Sequence, residues 1–106
     1  MNYPENIEEI EKFAEEINLD VKYLLGEKYE GELNLYSVQY LPNNIQFNID
    51  GFLILYFVKV LPDNIQFNIG GDLYFCYVES LSPGTVFNVG GKLYLQTDHK
   101  VKVLWD

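Results

Sequence analysis

The chain repeats one segment, Leu61-Pro-Asp-Asn-Ile-Gln-Phe-Asn-Ile-Gly-Gly-Asp-Leu73, at a spacing of twenty residues. A near copy occupies residues 41–53, and a looser copy occupies residues 81–93. One turn position is glycine in every copy, and this column reaches back into a degenerate first copy: Gly31, Gly51, Gly71 and Gly91. A repeat of this length indicates either a coil with one turn per repeat or an array of hairpins.

Each copy contains two short segments in which apolar and polar residues alternate, as in a strand with one buried face. In residues 65–69 the inward residue at the centre is Phe67, and in residues 73–75 the inward residues are Leu73 and Phe75. Two glycines between the segments turn the chain. We expect one polar column to hydrogen-bond along the axis of a coil through its stacked amides: Asn48, Asn68 and Asn88.

The alternation of side chains between the two faces of a strand favours a coil over hairpins. A two-residue hairpin loop at the glycines would pair Asn68 with Leu73, which places amides on the same face as the leucines. A three-residue loop puts the apolar residues of both strands on the same face again, but its bulged form needs glycine at the last position. That position holds four other residues: Glu32, Phe52, Asp72 and Lys92. We therefore predict a mainly β fold, a short parallel β-solenoid of about four 20-residue turns, with an antiparallel β-hairpin meander as the alternative.

The repeats carry Leu-Pro and then Gly-Gly-x-Leu-x-Leu, and over residues 31–98 this pattern resembles short leucine-rich-like solenoid repeats of bacterial and phage proteins. Such repeats usually carry an asparagine after the Leu-x-Leu strand, where this chain has valine: Val38, Val58 and Val78. The resemblance implies a binding scaffold rather than an enzyme, and it does not name a partner.

The 106 residues are long enough for one domain, which we divide into an acidic helix (1–20), the repeats (21–100) and a C-terminal cap (101–106). Ile7, Ile10, Ala14 and Ile17 recur at helical spacing and predict an amphipathic helix over residues 4–18. A solenoid exposes its core and unpaired strand groups at both ends. We expect the helix to cap the first turn, and the alternative is that it covers an outer face.

The net charge of −9 is concentrated in the first 32 residues, and it argues against direct binding of nucleic acid, which needs clustered lysine and arginine. The outer face of the helix has two interpretations. It is a solvated surface, or it mimics a phosphate backbone and binds a basic partner. The residues of this second interpretation are Glu8, Glu9, Glu15 and Glu16.

The outward positions of the second strand of each copy should be polar, yet most are aromatic. On a coil they are expected to stack into one apolar face, which usually marks a contact site. The predicted protein-interaction residues are Tyr36, Phe52, Ile54, Tyr56, Phe57, Tyr74, Tyr77 and Tyr94. The alternatives are a face covered by the N-terminal helix and an exposed ladder that only stabilises the sheet.

The motifs of catalysis and of metal or cofactor binding are absent from the sequence: there is no phosphate-binding loop, no nucleophile elbow and no zinc spacing. The single cysteine, Cys76, cannot form an intramolecular disulfide, which favours the cytoplasm of a bacterial host. No apolar run approaches the length of a membrane helix. We therefore expect no catalytic site, no cofactor, no metal and no membrane partner.

These observations predict a small, acidic, non-enzymatic protein–protein interaction module. Its size, its acidity and its lack of chemistry fit a phage-encoded inhibitor of a host defence factor such as a CRISPR nuclease. The alternative is a structural solenoid that associates with itself as a homodimer. An enzyme or carbohydrate-binding module that uses the tyrosines is the third hypothesis, and it lacks the convergent polar groups of a cleft.

Overall fold

The computed structural model describes residues 4–82 and 84–95. Within these residues the chain forms one α-helix, one short 3-10 helix and ten strands. The helices are α1 (Ile7–Glu16) and the 3-10 turn (Val21–Leu24). The strands are β1 (Leu25–Tyr29), β2 (Leu33–Asn34), β3 (Gln46–Ile49), β4 (Leu53–Leu55), β5 (Val60–Leu61), β6 (Gln66–Ile69), β7 (Leu73–Phe75), β8 (Ser80–Leu81), β9 (Val86–Val89) and β10 (Leu93–Leu95).

The strands form three parallel sheets that run along the axis of a coil. Sheet 1 has the order β1-β3-β6-β9, sheet 2 has the order β2-β4-β7-β10, and sheet 3 is the pair β5-β8. Gln46 pairs with Gln66, and Gln66 pairs with Val86, so these strands lie on their counterparts twenty residues away. The fold is thus a parallel β-solenoid with one N-terminal helix, as predicted, and the meander is excluded; the described residues form about three turns, whereas about four were predicted.

The core lies between the sheets and consists of the inward residues of successive coils. Phe47 and Phe67 are fully buried, with ring centroids 5.5 Å apart and planes at 12°. Phe67 stacks in the same way on Phe87, at 5.2 Å. The leucines of sheet 2 face these rings from the other side, and Leu53 and Leu73 have no exposed surface. The predicted aromatic and leucine columns therefore form one continuous core.

The glycine column marks a corner where consecutive coils approach closely. The amide of Gly71 donates to the carbonyl of Gly51 at 2.9 Å, and the amide of Gly91 donates to Gly71 at the same distance. A Cβ at Gly71 would lie 2.9 Å from the carbonyl carbon of Gly51. The corner therefore has no room for a side chain, which is why glycine recurs there.

Helix α1 caps the N-terminal end of the solenoid. Ile10, Phe13 and Ala14 are buried in the core. The side chain of Asn6, just before the helix, donates to the carbonyl of Asn43 at 2.9 Å. The prediction of a capping helix is confirmed, over a shorter range than the predicted residues 4–18.

The amide chain along the axis lies in a different column from the one predicted. Asn64 donates to the side chain of Asn44 at 2.8 Å, and Asn44 donates to the side chain of Asn6 at 2.9 Å. Asn44 and Asn64 have φ values of 67° and 62°, a left-handed conformation that asparagine tolerates at corners. In the predicted column, Asn48 donates to the carbonyl of Gly26. A chain of amides was correctly expected, but its column was wrong, because the alternation of apolar and polar residues does not show which asparagines occupy the corners.

The predicted C-terminal cap, residues 101–106, and the last residues assigned to the repeats lie outside the described residues. The division of the chain into one domain with these three parts stays a prediction. Among the residues that the structure describes, no helix combines the length and the apolarity that crossing a membrane requires.

Candidate protein-interaction surface

The two main sheets share an apolar inner face and differ on the outside. On sheet 1 the outward side chains of β3 and β6 are amides, as at Gln46 and Gln66. On sheet 2 the outward positions at the strand centres are Ile54, Tyr74 and Tyr94, which stand in register. The coils of β3–β4 and β6–β7 therefore present amides on sheet 1 and an apolar residue or a ring on sheet 2. Single positions at the ends differ, because Asn34 pairs with Ile54 on sheet 2 and Val86 is exposed on sheet 1.

Four of the predicted interaction residues form one connected group of rings around Tyr74. Tyr94 stacks on Tyr74 with centroids 4.8 Å apart and parallel planes. Phe52 and Tyr56 each meet Tyr74 edge to face, at 6.0 and 6.2 Å. All four are half-buried. We call Phe52, Tyr56, Tyr74 and Tyr94 the Tyr74 cluster; it lies over sheet 2 beside Ile54.

Three more of the predicted residues form a second group at the corner that follows sheet 2. Phe57 stacks on Tyr77 at 5.3 Å, and Tyr36 contacts Phe57 at 5.7 Å. The exposed fractions of Tyr36, Phe57 and Tyr77 are 54%, 39% and 45%. We call these residues the corner cluster. The sequence places all eight residues on one face, whereas the structure divides the rings into two groups. Phe57 and Tyr77 each lie one residue beyond the outward positions of their coils, and Tyr36, although it occupies an outward position, contacts Phe57.

Asp72 holds the central ring of the Tyr74 cluster, although it is not among the predicted interaction residues. The Tyr74 hydroxyl donates to Asp72 Oδ2 at 3.1 Å, while Asp72 Oδ1 accepts from the backbone amide of Lys92 at 2.8 Å. The pKa of Tyr74 lies above its ordinary value because of the hydrogen bond to Asp72, partial desolvation and the negative charge of Asp72. The available signal was the i, i+2 spacing, which puts both side chains on the outer face.

A notch interrupts the rings where Cys76 replaces a tyrosine. Cys76 occupies the position of Tyr36 and Tyr56 in the preceding coils. The smaller side chain leaves a depression of about 450 Å³. We call this depression the notch; it is lined by Tyr56, Tyr74, Phe75, Cys76 and Tyr94.

The four predicted acidic residues of the helix are all exposed, and two of them take part in the cap. Glu9 accepts from the Asn6 side chain at 3.0 Å. Glu16 accepts from the Tyr40 hydroxyl at 3.4 Å, and the charge of Glu16 is the main cause of the raised pKa of Tyr40. Glu8 and Glu15 complete the set. The structure therefore places the acidic face next to the contacts that hold the helix on the first coil.

Among residues 4–82 and 84–95, no group of three or more histidine, cysteine, aspartate or glutamate side chains is arranged to hold a metal ion. Comparisons of the chain with protein-family models, with curated proteins and with solved structures found no match.

Proposed function

We propose that this protein is a non-enzymatic interaction module that docks another protein on the outer surface of sheet 2. The observation that carries the proposal is the contrast between the two sheets. Both bury the same kind of side chain, but sheet 1 presents Gln46 and Gln66 outward, whereas sheet 2 presents Tyr74 and Tyr94. The inner faces form the core, and stacked rings on an outer face also stabilise a sheet, so docking and a stabilising ladder are the two explanations that the capture experiment below separates.

Two properties of this surface support a binding role. The rings of the corner cluster are exposed and adjoin one another, and contiguous apolar surface of this kind usually marks a contact site. Tyrosine is also enriched among the residues that dominate binding energy, because it combines area with few rotors and a polar tip. The leucine-rich-like repeat pattern agrees with a scaffold whose outer side chains recognise a partner.

The test is a capture experiment from bacterial lysate with a variant that places charge on sheet 2: Ile54→Asp, Tyr56→Asp and Tyr74→Asp. The matched control carries three acids on the outward positions of sheet 1: Gln46→Asp, Gln66→Asp and Asn68→Asp. Both proteins are first shown to be folded by circular dichroism. We expect a stoichiometric partner that binds the wild type and the control equally well. Its affinity for the sheet 2 variant should be at least roughly tenfold lower, as for removal of a hot spot.

Capture by all three proteins would contradict docking on sheet 2. The competing function, a self-associating structural module, predicts instead that the wild type is a dimer in sedimentation experiments and that the sheet 2 variant is a monomer. A wild type that stays monomeric at high concentration would exclude self-association.

The second candidate function is inhibition of a nucleic-acid-guided defence nuclease by a phage-encoded protein, and the exposed acidic face of α1 favours it. In this hypothesis Glu8, Glu9, Glu15 and Glu16 occupy a basic channel. Replacing these four residues by glutamine should abolish inhibition of such a nuclease while leaving the fold intact. Inhibition that is unchanged by the four substitutions would reject the hypothesis.

A further inference from the structure

We propose that the notch receives an arginine side chain of the partner protein, and this inference rests on the proposed function of sheet 2. The notch exists because Cys76 stands where the preceding coils have Tyr36 and Tyr56. Its volume of about 450 Å³ lies within the range of clefts that hold small ligands, about 300–1,000 Å³. It therefore has room for a guanidinium group and part of its stem.

The walls of the notch offer the chemistry that attracts a planar cation. Tyr74 and Tyr94 stack on each other in parallel, and Tyr56 is perpendicular to Tyr74 at 89°, so phenol rings in two orientations line the notch. A cation within about 6 Å of a ring centroid is attracted by the negative face of the ring. The hydrogen bond from Tyr74 to Asp72 adds to this attraction, because a phenol that donates to a carboxylate has a more electron-rich ring.

The charge of the chain selects a cationic occupant over an anionic one. Residues 31–95, which include every residue that lines the notch, contain five carboxylates and two lysines. The chain has no arginine of its own, so the guanidinium must come from another molecule. Arginine is preferred over lysine because its planar, weakly hydrated head stacks on aromatic faces, whereas the ammonium group is compact and strongly hydrated.

The experiment is an NMR titration of the protein, labelled on its tyrosine rings, with the peptide acetyl-Gly-Arg-Gly-amide. The control is the same peptide with citrulline, which has the shape of arginine without its charge, at matched ionic strength. We expect saturable shifts of Tyr56, Tyr74 and Tyr94 with the arginine peptide, and binding roughly three- to thirtyfold weaker with the citrulline peptide. Equal affinity for both peptides, or no saturable shift with arginine, would overturn the proposal.

Two variants test whether the arginine peptide binds in the notch. Cys76→Tyr fills the depression with the residue that the preceding coils carry there, and it should abolish binding of the arginine peptide. Cys76→Ser leaves the depression open and should bind like the wild type. Unchanged binding by Cys76→Tyr would overturn the assignment to the notch. If Cys76→Tyr does not fold, the comparison of the arginine and citrulline peptides on the wild-type protein still tests the proposal.

The same variants separate this inference from the proposed function. A partner protein that is lost by the sheet 2 variant but retained by Cys76→Tyr would refute the arginine contact and leave the docking surface standing. Binding of the arginine peptide together with undiminished partner capture by the sheet 2 variant would refute the docking surface and leave the notch as a guanidinium site.

Discussion

At the scale of single residues, consecutive coils approach each other closely at a corner where side chains are absent. The corner at Gly51 and Gly71 joins consecutive coils through backbone hydrogen bonds of 2.9 Å. This approach brings backbone atoms within reach of any Cβ, and backbone atoms cannot turn aside as the end of a flexible side chain can. At Gly51, Gly71 and Gly91 glycine is therefore required by the spacing between coils, whereas Gly31 has open space around an added Cβ and is required by its φ of 95°.

Replacing Gly71 by alanine tests this requirement. The new Cβ would lie 2.9 Å from the carbonyl carbon and 3.0 Å from the carbonyl oxygen of Gly51. Because the coils must separate, we expect the free energy of unfolding to fall by about 1–3 kcal/mol, the usual cost of overpacking. The measurement is urea denaturation followed by circular dichroism. The control is Ser80→Ala at an exposed position, and equal stability of the two variants would show that the corner can relax.

At the scale of elements, the helix cap continues a column of the solenoid. The Asn6 side chain accepts from Asn44, which in turn accepts from Asn64, so Asn6 takes the place that an asparagine of a preceding coil would hold. The buried residues Ile10 and Phe13 cover the core at the same end. The cap is thus positioned by polar contacts at the helix start and by apolar contacts in its middle.

Replacing Asn6 by alanine should loosen the cap without removing its apolar contacts. The substitution removes the bonds to Glu9, Asn43 and Asn44, and we expect a loss of about 1–2 kcal/mol in the free energy of unfolding. Amide hydrogen exchange in α1 should also speed up relative to sheet 1. Glu11→Ala, at an exposed position of the same helix, is the control. A stability equal to that of the control would mean that Asn6 does not position the cap.

The elements differ in how far they could be predicted from the sequence. Sheets 1 and 2 follow from alternation around Phe67 and Leu73, because each has one buried face. Sheet 3 was not predicted, because β5 and β8 have two residues each and carry no period. The aromatic residues of the candidate surface were found from their unexpected outward positions. The contact of Asp72 with Tyr74 and the notch at Cys76 depend on side-chain geometry that a repeat pattern does not contain.

At the scale of the whole molecule, one register governs the coils from β3 onward, and a register shift occurs only where β1 pairs with β3 among the described strands. Each residue of β6 pairs with the residue twenty positions earlier in β3 and with the residue twenty positions later in β9. A shift by one residue would turn inward side chains outward, because strand side chains alternate with a period of two. The length of the repeat is therefore as important to the fold as its composition.

Duplicating residues 61–80 in place should add one coil and preserve the fold. We expect the enlarged protein to unfold cooperatively with a larger dependence of stability on urea, because more surface is exposed on unfolding. The control inserts the same segment with Gln66 deleted, which puts the two sides of the insertion out of phase. We expect this control to lose β structure by circular dichroism. Equal folding of both insertions would contradict the strict register.

The strict register also bears on how such a gene can change. The segments 41–53 and 61–73 are nearly identical, and such neighbouring copies invite slippage during replication or unequal crossing over. An event that gains or loses one whole copy changes the protein by one complete coil and leaves every inner face in place. Gain or loss of repeats can therefore lengthen or shorten the aromatic surface in steps of one coil, without an intermediate sequence that cannot fold.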